Sequence, residues 1–236
     1  MTTSTTIDVE FDMRTDAGGR DPDRYSPTLR AYHRMLWSKP LPSGHVFDLQ
    51  DVWPRGYLRH ESELGTFRLT SDTILRTFGK HSKMRHIITQ IPPEERADFT
   101  RRGYTIGGFI IFPGNKIDSK YTINQARGVH PKIQDRIDLT LECIRRHYRS
   151  EPSPLAATLK RYADFFALFG DFQGYVTFFP LDDLVTEDFE PVRFFLPFEH
   201  FDTTPALPQD LKQYHQFRAA MLSWINRRNS RIAAAT

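Results

Sequence analysis

The chain has 236 residues, 39% of them apolar, and 32 basic side chains against 29 acidic ones give a formal net charge of +3. That length suits one large domain or two small ones with a sizeable core, and the basic excess is too mild for a dedicated DNA-wrapping protein, so anionic partners are allowed but not demanded. A lone cysteine, Cys143, excludes an intramolecular disulfide and fits a reducing compartment. The start, Met1 to Ile7, has neither the basic nor the apolar region of a signal peptide. No apolar run approaches the roughly 20 residues that span a bilayer, so a cytoplasmic protein without a membrane partner is expected.

Residues 6–13 alternate, with Ile7, Val9, Phe11 and Met13 on one side and Thr6, Asp8, Glu10 and Asp12 on the other, which predicts a half-buried strand. A polar loop, Thr15 to Arg24, follows. Ser26-Pro27 then reads as an N-cap with proline at the first helical position, opening a helix that stops before Pro40. Pro40, Pro42, Gly44, Pro54, Gly56 and Gly65 break the next stretch into short antiparallel strands at Val46–Leu49, Tyr57–His60 and Thr66–Leu69. Ser71 reads as the cap of a short helix ending near Gly79. Pro92-Pro93 opens another that Gly103 closes. A strand from Tyr104 to Phe112, the turn Pro113-Gly114-Asn115 and a strand from Tyr121 to Gln125 suggest a hairpin.

The clearest helix runs from Pro131 to Tyr148, where Ile133, Ile137, Leu141, Ile144 and Tyr148 mark one face. Glu142 can pair with Arg146. Ser153-Pro154 opens a second long helix, lined by Leu155, Leu159, Tyr162, Phe166 and Phe169 and ended by Gly170. Gly174–Phe179 and Val192–Phe198 read as strands, and a last helix runs from about Pro208 to Arg228. The phenylalanines that crowd Phe165 to Phe201 read as a dense aromatic core rather than an aromatic-lined pocket. With no repeat and no long linker, the expectation is a single α+β domain over 1–236, a largely antiparallel mixed sheet packed with several helices.

The common nucleotide, zinc, nucleophile-elbow and CxxC motifs are absent. His81 and His86 are badly spaced for shared metal ligation, so no metal is expected, and Cys143 reads as a small buried residue. The most suggestive segment is Thr122 to Gly128 with Asp135-Arg136-Ile137-Asp138. A strand end leading through Arg127-Gly128 to a helix N-terminus would place free N–H groups and a guanidinium around a phosphate or carboxylate, with Asn124 and Arg136 as further ligand-binding groups. Asp135 and Asp138 share a helical face with Glu142, as an acid–base pair would. The competing reading makes these residues a salt-bridge network around a turn. Asp182-Asp183 reads as a turn at a strand end. The basic run Asn226 to Arg231 reads as a solvated helix end, with nucleic-acid contact as its functional counterpart.

The order Thr122-Ile123-Asn124, Arg127-Gly128, Asp135-Arg136-Ile137-Asp138-Leu139-Thr140-Leu141 and Ile144-Arg145-Arg146-His147-Tyr148 resembles an uncharacterised bacterial family catalogued as a domain of unknown function. Ser38-Lys39-Pro40-Leu41-Pro42, Ser153-Pro154-Leu155, Arg161-Tyr162, Phe165-Phe166, Leu168-Phe169 and Asp183-Leu184-Val185 fit the same pattern. The resemblance covers nearly the whole chain, which implies one domain, and brings no activity or cofactor. The residues themselves lean towards an enzyme or ligand-binding domain for an anionic, phosphate-bearing molecule, with a nucleotide or nucleic acid in that class. The alternative is a non-catalytic interaction protein with a structural polar cluster.

Overall fold

Ser26 starts the first long helix as its sequence requires. Its hydroxyl accepts a hydrogen bond from the Leu29 N–H at 3.0 Å, and Pro27 heads the helix α2 (Pro27–Trp37), which follows a single turn, α1 (Pro22–Tyr25), inside the stretch expected to be loop. These coordinates come from a computed structural model that describes residues 6–52 and 56–235. Residues 1–5, 53–55 and 236, the breaker Pro54 among them, lie outside the described residues.

The expected strand at 6–13 is instead a series of turns. The side chains of Asp8 and Asp12 accept from the N–H groups of Glu10 (2.9 Å) and Arg14 (3.0 Å), local bonds that compete with a ladder. The apolar side is still the inner one. Ile7 and Met13 are buried, with Val9 and Phe11 packed behind them, and Asp8 N–H reaches the Tyr32 hydroxyl at 2.8 Å.

Both sheets are antiparallel. β1 (Lys39–Pro40) pairs with β2 (Val46–Phe47), and β3 (Leu58–Ser62), β4 (Gly65–Thr73) and β5 (Phe109–Pro113) form a second sheet in that order. Leu58 faces Leu69 across the β3–β4 hairpin, and Leu69 faces Pro113 across β4–β5. Ser71 therefore lies within β4 and caps no helix. Beyond the start of β3, its N–H donates to Asp23 of α1 at 2.8 Å. The helix expected from Ser71 to Gly79 does not form, since β4 runs to Thr73 and irregular chain follows; a single turn, α3 (Arg85–Ile88), comes only after Gly79, and α4 (Pro93–Gly103) runs as its prolines and glycine imply. The strand expected from Tyr104 begins only at Phe109. A tight turn over Ile106–Gly108 precedes it, and a Cβ at Gly107 would collide with Asn229.

The second half is helical: α5 (Ile123–Val129), α6 (Ile137–Tyr148), α7 (Ala156–Arg161), α8 (Ala163–Ala167), α9 (Phe172–Phe178) and α10 (Leu211–Ala235). Three expected strands are corrected here. Residues 121–125 open α5, because Thr122 and Gln125 form a reciprocal capping box. Residues 174–179 belong mostly to α9, because Asp171 caps it by accepting from Gly174 N–H at 2.7 Å. Residues 192–198 contribute only one bridge, Val185 to Val192. The helix expected from Pro131 begins at Ile137, after a turn in which Gln134 (φ 51°) and Asp135 (φ 66°) are left-handed. The long helix expected after Pro154 is broken at Tyr162 and ends at Gly170 (φ 76°).

One cluster of buried apolar side chains runs from Ile7 to Ile232. At its centre Phe165, Phe169, Tyr175, Phe178 and Phe179 are buried, with centroids 5.0 Å apart for Phe169–Phe178 and Tyr175–Phe179. The aromatic crowding is thus core, packed in the tilted and edge-on arrangements that rings prefer. Among the described residues, no helix is long and apolar enough to cross a membrane.

Candidate functional site

Arg127 sits in the last turn of α5 rather than at a helix N-terminus, so the strand-to-helix anion nest expected there is not formed. Its guanidinium is completely buried. Nη1 lies 2.9 Å from Asp72 of β4 and 3.0 Å from Asp135. Nη2 donates to the Asp135 carbonyl at 2.9 Å, and Nε donates to the Thr140 hydroxyl at 3.2 Å. Arg76 adds a second cation, 3.3 Å from Asp135. Asn124, one turn back on α5, donates to Thr70 at 3.3 Å, two residues before Asp72 on the same face of β4. Gly128 lies inside α5 without a positive φ and with open space around its Cα, so neither turn nor close approach demands a glycine there.

Two carboxylates thus share one guanidinium at a partly open edge, where the side chains of Asp72 and Asp135 keep 31% and 16% exposure. Burial, with the charge of Asp135 added, pushes the Asp72 carboxyl up to about 6 against the pull of Arg127. A proton held in that range is what acid–base chemistry needs.

Arg136 and Asp138 do not join this group. They pair with each other at 2.5 Å and are both enclosed. Asp138 also accepts from Phe195 N–H at 3.0 Å, and Arg136 donates to the Ala206 carbonyl at 3.1 Å. The pair ties the start of α6 to the 195–206 segment. Glu142 accepts from Arg145 and Arg146 at 2.8 and 2.7 Å. Burial opposes its charge, but these hydrogen bonds hold it below the ordinary carboxylate range. The three acids expected on one face therefore separate into three settings.

Two adjoining clefts, of about 340 and 540 Å³, share His130 and Pro154 as lining residues. His130, Lys132, Arg146 and His200 line the first, and Lys120 and Arg161 line the second, with Asp202 the one carboxylate of the combined lining. Tyr121 and Val129 are exposed in the second cleft. The His130 ring is held below its usual pKa by burial and by Lys132. Its Nδ1 accepts from Lys132 N–H at 3.2 Å, so the neutral ring carries its proton on Nε2, where it can donate.

A family model described as a family of unknown function, DUF6994, matches residues 7–232. The chain belongs to that family. No curated protein and no solved structure matches it.

In this DUF6994 chain the remaining sequence candidates have structural settings. Cys143 is buried and its thiol is pushed up to about 12 by burial. Asp182 and Asp183 receive Arg231, with Arg227 near Asp183, so much of the basic run is spent within the chain. Arg228 is fully buried. Among the described residues, no group of three or more His, Cys, Asp or Glu side chains gathers to hold a metal. Sequence reasoning did not find Asp72, Arg76, Thr140 or the His130 clefts. The available signal was Thr122-x-x-Gln125: read as a capping box, it makes 123–129 helical and turns Arg127 inward while His130 follows at the outer end.

Proposed function

We propose that the protein binds a phosphate-bearing small molecule, with a nucleotide as the best-suited class, in the joined cleft around His130. The observation that supports this reading is the lining: six basic side chains, Lys120, His130, Lys132, Arg146, Arg161 and His200, face a single carboxylate, Asp202. Two of the cations are already oriented. Arg146 is tied to Glu142 and stacks 5.0 Å from the Phe201 ring, and Arg161 donates to the Tyr121 carbonyl at 2.9 Å. Pre-positioned guanidiniums bind oxyanions at lower ordering cost, and Tyr121 offers an exposed ring for stacking a base. The cleft volumes fall in the range of small-molecule sites.

Catalysis is a second reading, favoured by the pairing of Asp72 with Asp135 around Arg127. Asp72, with its carboxyl raised to about 6, would serve as acid in its protonated form and Asp135 as base, while Asp138 with Arg136 fixes the start of α6 beside them. An interaction protein with a purely structural polar network remains the competing account, and ligand binding separates the two. A thermal-shift screen against nucleotides and phosphorylated metabolites at constant ionic strength is the test. A ligand at one hundred times its Kd stabilises the folded state by about 2.7 kcal/mol. The affinity should fall about ten-fold or more in a His130→Ala, Lys132→Ala double variant, the loss expected of charge-assisted contacts. No response to any phosphorylated compound, or unchanged affinity in that variant, overturns the reading.

A further inference from the structure

A separate cleft opens between the tips of the two hairpins, β1–β2 and β3–β4, with the end of α8 as its third wall. It has a volume of about 430 Å³, within the range of small-molecule sites. Val46 and Leu64 stand exposed in it, at 55% and 45%, and Leu168 is buried against the same space. Apart from the imidazoles of His45 and His60, no basic side chain lines it among the described residues, whereas Glu61 and Glu63 do. Its charge is therefore the reverse of that around His130.

His60 is the unusual member of the lining. It is only 1% exposed. Its ring stacks on Phe47 at 4.2 Å and lies parallel to that of Phe67, its register partner, at 6.4 Å. Nδ1 lies 3.1 Å from the Asp48 carbonyl. A carbonyl can only accept, so Nδ1 carries the proton and Nε2 of the neutral ring is a bare acceptor. Burial favours that neutral form, holding the ring below its ordinary pKa against the pull of Asp48 and Glu61. Nε2 has no hydrogen-bond partner among the described residues. A buried acceptor left unmatched is destabilising, and a phenylalanine would complete the same stack without one. An imidazole there calls for a donor that arrives from outside the chain.

We propose that this cleft binds the ammonium group of a small organic amine: one N–H is donated to His60 Nε2, Glu63 meets the charge, and the aliphatic body packs on Val46, Leu64 and Leu168. Glu61 is already paired with Arg59 at 3.0 Å. Glu63 is exposed and has no ion pair among the described residues, so it is the counter-charge. The carboxylates and imidazoles do not gather into a metal-binding set among the described residues, and the apolar walls suit an organic cation rather than a bare ion. The site does not rest on the phosphate reading of the His130 cleft.

The test uses the full chain with n-butylammonium chloride as the probe, against sodium chloride at equal ionic strength. The expected result is a saturable rise in melting temperature with butylammonium, accompanied by an upfield shift of the His60 Nε2 signal in ¹⁵N NMR as that nitrogen accepts a hydrogen bond. Butyltrimethylammonium carries the same charge but no N–H, and it should bind about ten-fold more weakly or worse, as loss of a charge-assisted hydrogen bond implies. Glu63→Gln, at an exposed turn, should weaken butylammonium by about three-fold. His60→Phe keeps a ring in the stack and should bind about ten-fold more weakly; the Nε2 signal of the unmodified protein answers the same question without a substitution. No saturable response to butylammonium, or an Nε2 signal that stays in place at saturation, overturns the site. Equal affinity for the trimethylated probe overturns the hydrogen bond to His60, and unchanged affinity in Glu63→Gln overturns the counter-charge.

Discussion

Two arginines are wholly enclosed near the ends of α5 and α10, and they are accommodated in opposite ways. Arg127 is met by two carboxylates, a hydroxyl and a carbonyl. Arg228 has no carboxylate partner among the described residues; it donates to the carbonyls of Gly107, Phe109 and Phe179 at 2.8, 2.6 and 3.1 Å and lies 5.8 Å from the Trp37 ring and 5.9 Å from that of Trp224. Burial pulls Arg228 down to about 9, with Arg231 adding to the effect. Around it, His33 Nε2, Tyr175 hydroxyl, Trp224 Nε1 and Arg228 Nε have no hydrogen-bond partner among the described residues. The first arginine sits in a network whose charge can change near neutral pH. The second is a fixed strut joining α10 to the start of β5 and the end of α9.

Replacing each arginine by methionine compares the two settings directly. Arg127→Met leaves Asp72 without its cation and Asp135 with Arg76 alone, and at pH 7 it should destabilise by about 3–5 kcal/mol, as broken buried pairs do. Chemical denaturation measures this, and a loss no greater than that of Arg228→Met would break the comparison. As a yardstick independent of charge, Ile137→Ala and Leu141→Ala on α6 should each cost about 2–4 kcal/mol. Losses of less than about 0.5 kcal/mol, typical of surface positions, would put that face at the surface. Arg228→Met keeps most of the volume and strands three carbonyls, for an expected loss of about 1–3 kcal/mol.

The smallest effect is the most specific. Asp72 is raised in the folded state from 3.8 to about 6, chiefly by burial. Its contribution to stability is therefore full below about pH 3.8 and is lost as pH rises through about 6. His33 works the other way: burial and the nearby arginines lower it from 6.5 to about 3, so its contribution is lost as pH falls through that window. The difference between wild type and Asp72→Asn isolates the first term. It should move in favour of the wild type as pH falls from 7 to 4.5, and a flat difference across that range would show that folding does not raise the Asp72 carboxyl.

The parts of the fold that sequence made legible are those where periodicity and caps agree. Ser26-Pro27, the prolines before α4 and the Ile137-Leu141-Ile144 stripe each placed a helix. The errors concentrate where a short helix is buried on most sides. Tyr175, Val176, Phe178 and Phe179 form an apolar, β-rich string interrupted only by the exposed Thr177, too short for period alone to separate helix from strand. The cap at Asp171 decides it. At 6–13 the alternation correctly gave the buried side, but a strand also needs a neighbouring edge, and none pairs with it among the described residues. The candidate site was half legible. Asn124, Arg127 and Asp135 do converge, whereas Asp72 arrives from a strand more than fifty residues away, a juxtaposition that only the β4–β5 pairing and the docking of α5 create.

The clasp of Asp23 on Ser71 has a consequence for behaviour in concentrated solution. Where β3 has not yet begun, β4 would present its ladder N–H to any passing extended chain, and such open edges template intermolecular pairing. The Asp23 carboxylate takes the Ser71 N–H and the Ser71 hydroxyl together. One turn of helix thereby serves as a guard against edge-to-edge association, and loosening α1 should appear first as a tendency to aggregate while the core remains folded.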